Sequence, residues 1–158
     1  MSNIAKAFAD KDQPLATFKA VERHVQETIG AKLFTMSVFN PSDGSASRIY
    51  TNMPDAYPVY GEKPMVPNTW TAKVLDRHEI FVANSIEEIA EVFPDHELIL
   101  SLGYESCVNI PVVIGGNVIG TLNCLDVAGH YTPQRVADAE LLKPHGAIAL
   151  LLHAFQTS

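Results

Sequence analysis

Apolar residues recur at spacings of three and four in the segment after Pro14, which is the periodicity of one buried face of an α-helix. A proline is tolerated in the first turn of a helix, so the helix is predicted to begin there. Gly30 provides a natural C-terminal stop. The apolar stripe consists of Leu15, Phe18, Val21, Val25 and Ile29. Residues 1–13 are small and polar, and we expect them to form a flexible N-terminal segment.

Two pairs of β-like segments are predicted to form hairpins. Segments 32–40 and 47–52 flank the turn sequence Asn-Pro-Ser-Asp-Gly. Segments 104–114 and 118–127 are more apolar and flank a Gly-Gly-Asn sequence. If Gly116 and Asn117 occupy the two central positions, the second hairpin has a type II′ turn.

The chain between the hairpins predicts short elements around a long ordered loop. The loop, 53–68, contains four prolines, and long loops in compact domains often cover functional sites. A short helix over 69–77 and a short strand over 80–83 follow it. Ser85 and Glu88 then form a capping box that opens another helix. A further short helix over 95–102 ends at Gly103.

The last helix is predicted to start at Thr132, a good N-cap residue, with Pro133 in its first turn. It runs to about Phe155, and Pro144 is expected to kink or break it. Taken with the preceding elements, this order predicts an α+β fold with a mainly antiparallel sheet.

The predicted register of the second hairpin assigns its side chains to two faces. With Gly116 and Asn117 in the turn, Ile110 faces Asn123 and Val112 faces Thr121. Both faces are apolar, so both must be covered. Gly120 allows a helix to lie close, and its face is therefore predicted to pack against the terminal helices. The face with Thr121 and Asn123 would lie under the short helices and the proline-rich loop.

Composition excludes several classes of function. The 158 residues carry 11 Lys and Arg against 18 Asp and Glu, a net charge of −7. This balance argues against nucleic acid and anionic membranes as partners, because phosphate recognition needs a basic face. No apolar run is long enough to span a bilayer, and the first residues lack the features of a signal peptide. With only two cysteines, a cytoplasmic location is expected.

The second hairpin carries a family resemblance. The run Ser106-Cys-Val-Asn-Ile-Pro-Val-Val-Ile-Gly-Gly-Asn-Val-Ile-Gly-Thr-Leu-Asn-Cys-Leu125 resembles the GAF-domain signature, with a proline in one strand, a tight turn and Ile-Gly in the next strand. The Tyr131-Thr-Pro sequence is similar to the usual start of that family's last helix. The resemblance covers roughly residues 14–155 and implies a single GAF-like domain, 14–156.

This resemblance implies a PAS-related sheet with the terminal helices on one face and the short helices plus a pocket on the other. GAF domains are small-molecule sensors and are often dimeric. The expected function is therefore a free-standing sensory or regulatory module that binds an unidentified small molecule and signals through a partner or its own dimer. An interaction module without a ligand is one alternative.

An enzyme related to the free methionine-(R)-sulfoxide reductases is the other alternative. That group uses cysteines between the two hairpins, where residues 53–103 contain none. The positions that match its substrate-binding acids are Cys107, Asn123 and Leu125, none of which is acidic. We therefore expect no such reductase activity and assign no catalytic residue.

Candidate binding residues are polar or aromatic side chains expected near the pocket. Asn123 and Thr121 lie in a buried strand, where an amide must be hydrogen-bonded or costs roughly 1–3 kcal/mol. The remaining candidates are Trp70, Tyr104, Tyr60, Tyr50 and Cys107. Arg48 could hold a carboxylate as a fork, but a solvated strand position is the favoured interpretation. No cofactor is identified; a bilin would need an accessible cysteine, and the six histidines show no metal spacing.

The last helix also predicts assembly. Across 147–155 only His153 is polar, so apolar side chains point in all directions, and one sheet face cannot cover them. The first helix could cover part of this surface. GAF domains often pair through these helices, which favours a homodimer. The predicted seam consists of Ala137, Leu141, Ile148, Leu151 and Phe155.

Overall fold

A computed structural model describes residues 4–157, which form a six-stranded antiparallel sheet with helices on both faces. The strand order is β3-β2-β1-β6-β5-β4, so the first and last strands of the chain lie side by side at the centre. The strands are β1 Leu33–Phe39, β2 Ala46–Thr51, β3 Tyr60–Lys63, β4 Phe81–Ala83, β5 Ser106–Ile114 and β6 Asn117–Asp126. The predicted α+β class is confirmed.

The terminal helices cover one face of this sheet. They are α1 Ile4–Phe8, α2 Leu15–Thr28, α6 Pro133–Ala139 and α7 Lys143–Thr157, with a 3-10 turn, Glu140–Leu142, between the last two. Phe18, Val21 and Val25 of α2 join Leu122 and Cys124 of the sheet in one buried cluster. The predicted close approach at Gly120 is confirmed, because Leu150 of α7 lies directly over it.

Short helices cover the opposite face. They are α3 Thr69–Thr71, which continues as a π-helical turn over Ala72–Asp76, α4 Ile86–Ala90 and α5 His96–Ser101. The predicted cap at Ser85 is present, since its side chain accepts a hydrogen bond from the Glu88 amide. Asn68 caps α3 in the same way through the Thr71 amide. This face therefore has a roof of short helices, two of which begin at a side-chain cap.

The second hairpin departs from the predicted register. Gly115 and Gly116 form the turn, with positive φ angles of 60° and 82°, as a type I′ turn requires, and Ile114 pairs with Asn117. A register shift follows between Val112 and Val113. As a result Asn109, not Ile110, lies opposite Asn123, and Pro111 lies opposite Thr121. The apolar residues Val108, Ile110 and Val112 consequently belong to the helical face.

Segment boundaries differ from the prediction at the proline-rich loop and agree with it at Pro144. The proline-rich loop contains β3, which pairs with β2 at the sheet edge. The last helix is interrupted before Pro144, because a proline ring clashes with the carbonyl four residues earlier and Glu140 begins the 3-10 turn. Of the segment 1–13 that was expected to be flexible, residues 4–13 contain α1, whose Ile4 packs against the core, and residues 1–3 lie outside the described residues. Among the helices within residues 4–157, none is both long and apolar enough to cross a membrane.

Candidate functional site

A cavity of about 550 Å³ lies between the sheet and its short-helix roof. Strands β1, β2, β5 and β6 form its floor, and the proline-rich loop and α3 form much of its cover. Most of the wall is apolar, and its aromatic members are Phe39, Tyr57, Tyr60, Trp70 and Phe93. Mostly apolar pockets of this size with a few convergent polar groups are typical of small-molecule sites.

A chain of hydrogen bonds crosses the cavity floor from α3 to β1. The Trp70 indole donates to Asn109 Oδ1 at 2.9 Å, and Asn109 Nδ2 donates to Asn123 Oδ1 at 2.8 Å. Asn123 Nδ2 then donates to the hydroxyl oxygens of Thr35 and Ser37, at 3.1 and 3.2 Å. These hydrogen bonds connect the roof to both central strands.

The direction of this chain is fixed by chemistry at one end. The Trp70 indole N–H is only a donor, so the oxygen of the Asn109 amide must face it. Asn109 must then donate to Asn123, which in turn must donate to Thr35 and Ser37. Those two hydroxyls accept, and their own hydrogens have no acceptor among the residues that the structure describes. The floor therefore presents hydroxyl donors to the cavity.

Arg48 of β2 is one of two cations that line this cavity, and the other is Lys63 of β3. The guanidinium carbon of Arg48 lies 4.8 Å from the ring centre of Tyr57 and 4.7 Å from that of Tyr60. Its Nη1 donates to the Pro58 carbonyl oxygen at 3.1 Å. The Nε atom is buried and finds no acceptor within the described chain. The side chain is thus half-buried against two tyrosine rings rather than fully solvated.

Tyr57 is held in turn by Asp95, to which its hydroxyl donates a hydrogen bond. Burial and this hydrogen bond raise the pKa of the Tyr57 phenol above its ordinary value, so the group remains a neutral donor. Asp95 is consequently engaged with a protein donor, whereas the guanidinium of Arg48 retains an unused N–H.

Five of the seven sequence-predicted residues line the cavity: Asn123, Thr121, Trp70, Tyr60 and Cys107. Tyr50 does not. Ile49 is an extra residue in β2 opposite the Met36–Ser37 step of β1, and this bulge turns Tyr50 to the helical face, where it bonds Glu22 at 2.5 Å. Tyr104 is buried beside the cavity, and its hydroxyl contacts the sulfur of Met53 at 3.1 Å.

Sequence reasoning missed Asn109, Thr35 and Ser37 as floor residues. Asn109 was missed because the predicted register placed Ile110, and not Asn109, opposite Asn123. Thr35 and Ser37 alternate with apolar residues in β1, a period-two pattern that could have identified a polar cavity face. Arg48 belongs to the same face because it pairs with Ser37.

The cavity does not fit a covalently attached chromophore. Cys107 lines it but is fully buried, and burial raises the pKa of its thiol well above the ordinary value. Its Sγ contacts Asn109 Oδ1 at 3.2 Å. Cys124 belongs to the helical-face cluster. Attachment needs an accessible thiolate, which neither cysteine offers. Within residues 4–157, no group of three or more His, Cys, Asp or Glu side chains could hold a metal ion.

Solved structures with the same fold come from several bacterial proteins. The GAF domain of a two-component sensor histidine kinase from Bacillus halodurans matches with a TM-score of 0.72 at 12% identity, covering 92% of this chain and 99% of that one. The GAF domain of a phosphoenolpyruvate-protein phosphotransferase from Coxiella burnetii matches at 0.71 and 16%, covering 98% and 92%. The chromophore-binding domain of a bacteriophytochrome from R. palustris matches at 0.65 and 14%, covering 97% and 59%.

Sequence comparison identifies the family directly. The model of the GAF domain matches residues 13–150, which include the whole sheet and every element that lines the cavity. The chain belongs to the GAF domain family. None of the curated proteins compared with it matches its sequence.

Proposed function

We propose that this GAF domain is a cytoplasmic sensory module that binds a small molecule in the cavity and transmits occupancy through a partner or its own dimer. The observation that carries the proposal is the oriented Trp70–Asn109–Asn123 chain on the floor of a largely apolar cavity. Both cysteines are free thiols in the described chain, which supports a reducing environment.

The polar floor is difficult to explain as packing alone. A buried amide that lacks its hydrogen bonds costs roughly 1–3 kcal/mol, and apolar side chains of similar size would fill a core without that risk. Asn109 is 4% exposed, yet its side-chain amide bonds the side chains of Trp70 and Asn123 rather than backbone groups. This arrangement supports a role in holding a preformed site that connects roof and floor.

The proposal is tested by native mass spectrometry of gently purified protein, which reports any retained small molecule and its occupancy. Asn123→Leu and Trp70→Ala are expected to lower that occupancy. Asn84→Leu is the matched control, because the Asn84 amide bonds the Tyr131 backbone at 3.0 and 3.1 Å and does not line the cavity. Equal occupancy in all folded variants would show that the molecule binds elsewhere.

The same proposal includes a homodimer through the terminal helices. The predicted seam is exposed: Leu141 is 64%, Leu151 48% and Phe155 79% accessible. A wide groove of about 820 Å³ also lies between the end of α7 and strands β1 and β2. Exposed apolar patches of this kind favour association.

Light scattering tests the proposed homodimer. The wild type is expected to have the mass of a dimer at micromolar concentration, and Leu151→Glu that of a monomer. Val127→Glu, which charges a similarly exposed apolar residue outside the terminal helices, should remain dimeric. A monomeric wild type would refute the dimer.

A further inference from the structure

The guanidinium of Arg48 has an unfilled hydrogen-bonding position at the cavity. Nη1 is occupied by the Pro58 carbonyl and Nε is shielded from solvent, whereas Nη2 is accessible and has no acceptor in the part of the chain that the structure describes. A guanidinium N–H that is held in place and unpaired forms a strong, charge-assisted hydrogen bond when a carboxylate oxygen arrives. The rings of Tyr57 and Tyr60 hold the planar group in place before any ligand binds.

A second donor lies next to this position. Ser37 pairs with Arg48 across β1 and β2, and side chains paired in this way have Cβ atoms roughly 4.5–5.5 Å apart. The Ser37 hydroxyl accepts from Asn123, so its hydrogen remains available for an acceptor on a ligand. Arginine and serine donors at this separation suit the two oxygens of a carboxylate.

The charges around the cavity limit the charge of the ligand. The charged residues that line it are Arg48, Lys63 and Asp95, two cations and one anion. The net charge of these three side chains is therefore a single positive charge, which a ligand with one negative charge balances. Asp95 would also repel a phosphate dianion, which needs more donors than Arg48 and Ser37 supply.

The remaining wall requires an apolar body. Trp70, Phe93, Met65 and Leu125 line the space beyond the polar groups. Aromatic and aliphatic walls of this kind gain free energy from each apolar atom that leaves water. A cavity of about 550 Å³ accommodates a small organic molecule.

We infer that the ligand is a small organic monocarboxylate with an apolar or aromatic body, bound through its carboxylate to Arg48 and Ser37. This inference rests on the proposed function, since it names the class of molecule for the same cavity. Lys63, exposed at the rim over the Tyr60 ring at 4.1 Å, adds to the positive potential at that side.

The test is a set of acids and their uncharged amides: phenylacetate, cinnamate and hexanoate against phenylacetamide, cinnamamide and hexanamide. Calorimetry and protein NMR report affinity and location. At least one acid is expected to bind about tenfold more tightly than its amide, equivalent to ~1.4 kcal/mol. Arg48→Met should abolish this preference, and Arg48→Lys should retain only part of it because lysine lacks the planar fork.

Arg77→Gln is the matched control, because Arg77 pairs with Glu79 on the surface at 3.3 Å and should leave the preference unchanged. Circular dichroism confirms that each variant is folded. If the amides bind in the cavity as tightly as the acids do, the inferred carboxylate ligand is wrong, while the proposed binding function stands. If no acid or amide perturbs the cavity resonances at millimolar concentration, the carboxylate inference is refuted, and the native mass spectrometry test decides the proposed binding function separately.

Discussion

Replacing Gly120 with alanine should destabilise the fold strongly, although it adds only one methyl group. A Cβ atom built at Gly120 lies 2.3 Å from the backbone oxygen of Ser37 and 2.8 Å from Leu150 Cδ1. The first contact is with the neighbouring central strand, and the second is with α7. The glycine therefore allows both strand and helix to approach β6 at once.

The size of the destabilisation depends on which atom the added methyl group approaches. Overpacking a core usually costs about 1–3 kcal/mol, with the lower values where a flexible side chain can move aside. The Ser37 oxygen belongs to the backbone of β1, so relief requires β1 and β6 to shift at the centre of the sheet. We therefore expect a loss of about 3 kcal/mol, which lowers the melting temperature of a domain of this size by roughly 6–12 °C.

Urea and thermal denaturation measure the change, with Gly61→Ala as the matched control. Gly61 lies in the edge strand β3, and a Cβ atom there meets nothing within 4 Å. Alanine at this position should leave the free energy of unfolding within about 1 kcal/mol of the wild type, with any gain arising from reduced freedom of the unfolded chain.

A Gly120→Ala, Leu150→Ala double variant separates the two contacts. Because the backbone collision remains when the Leu150 side chain is removed, the double variant should not regain stability. A Gly120→Ala protein within about 0.5 kcal/mol of the wild type, or a rescued double variant, would show that the strand contact does not determine the cost.

Three further outcomes are expected. Asn109→Leu leaves the Trp70 indole without its acceptor, so chemical denaturation should show a free energy of unfolding lower by about 1–3 kcal/mol. An unchanged free energy of unfolding would contradict the role of the hydrogen bonds across the cavity floor. His24 stacks on His145 with ring centres 3.9 Å apart, and burial and that neighbour lower the pKa of His24 despite the opposing charge of Glu27. Because the pKa of this histidine is higher in the unfolded chain, the unfolded chain binds the proton first. The free energy of unfolding should therefore fall as the pH drops below about 6.5. His24→Gln should weaken that dependence, and an identical pH profile would refute it. Both cysteines are buried with raised thiol pKa values, so a disulfide reagent should modify them only on unfolding; rapid labelling of the native protein would contradict this.

Many element boundaries could be predicted from local signals, because each boundary depends on chemistry within a few residues. Ser85 and Thr132 cap the helices predicted for them, through the amides of Glu88 and Arg135. The Gly-Gly-Asn turn was ambiguous, since two adjacent dipeptides both suit a two-residue turn. A shift of one residue there exchanged the faces of β5, which is why Asn109 was missed while Asn123 was found.

Nonlocal geometry explains the remaining differences at the candidate site. Tyr50 and Arg48 are two positions apart in β2 and would share a face in a regular strand. The bulge at Ile49 separates them, and it is visible only once β1 is paired with β2. The environment of Arg48 likewise depends on Tyr57 and Tyr60, which reach it from the proline-rich loop and from β3.

Trp70 is the single tryptophan of the chain, and its indole N–H is bonded to the cavity floor at 2.9 Å. The protein thus carries a built-in optical probe at its site. Intrinsic emission and the lone indole resonance respond to the hydrogen bond and to the polarity of the space beside it. Lifting of the roof from the sheet, or entry of a quencher, can be followed in real time without a label and without knowing what the natural ligand is.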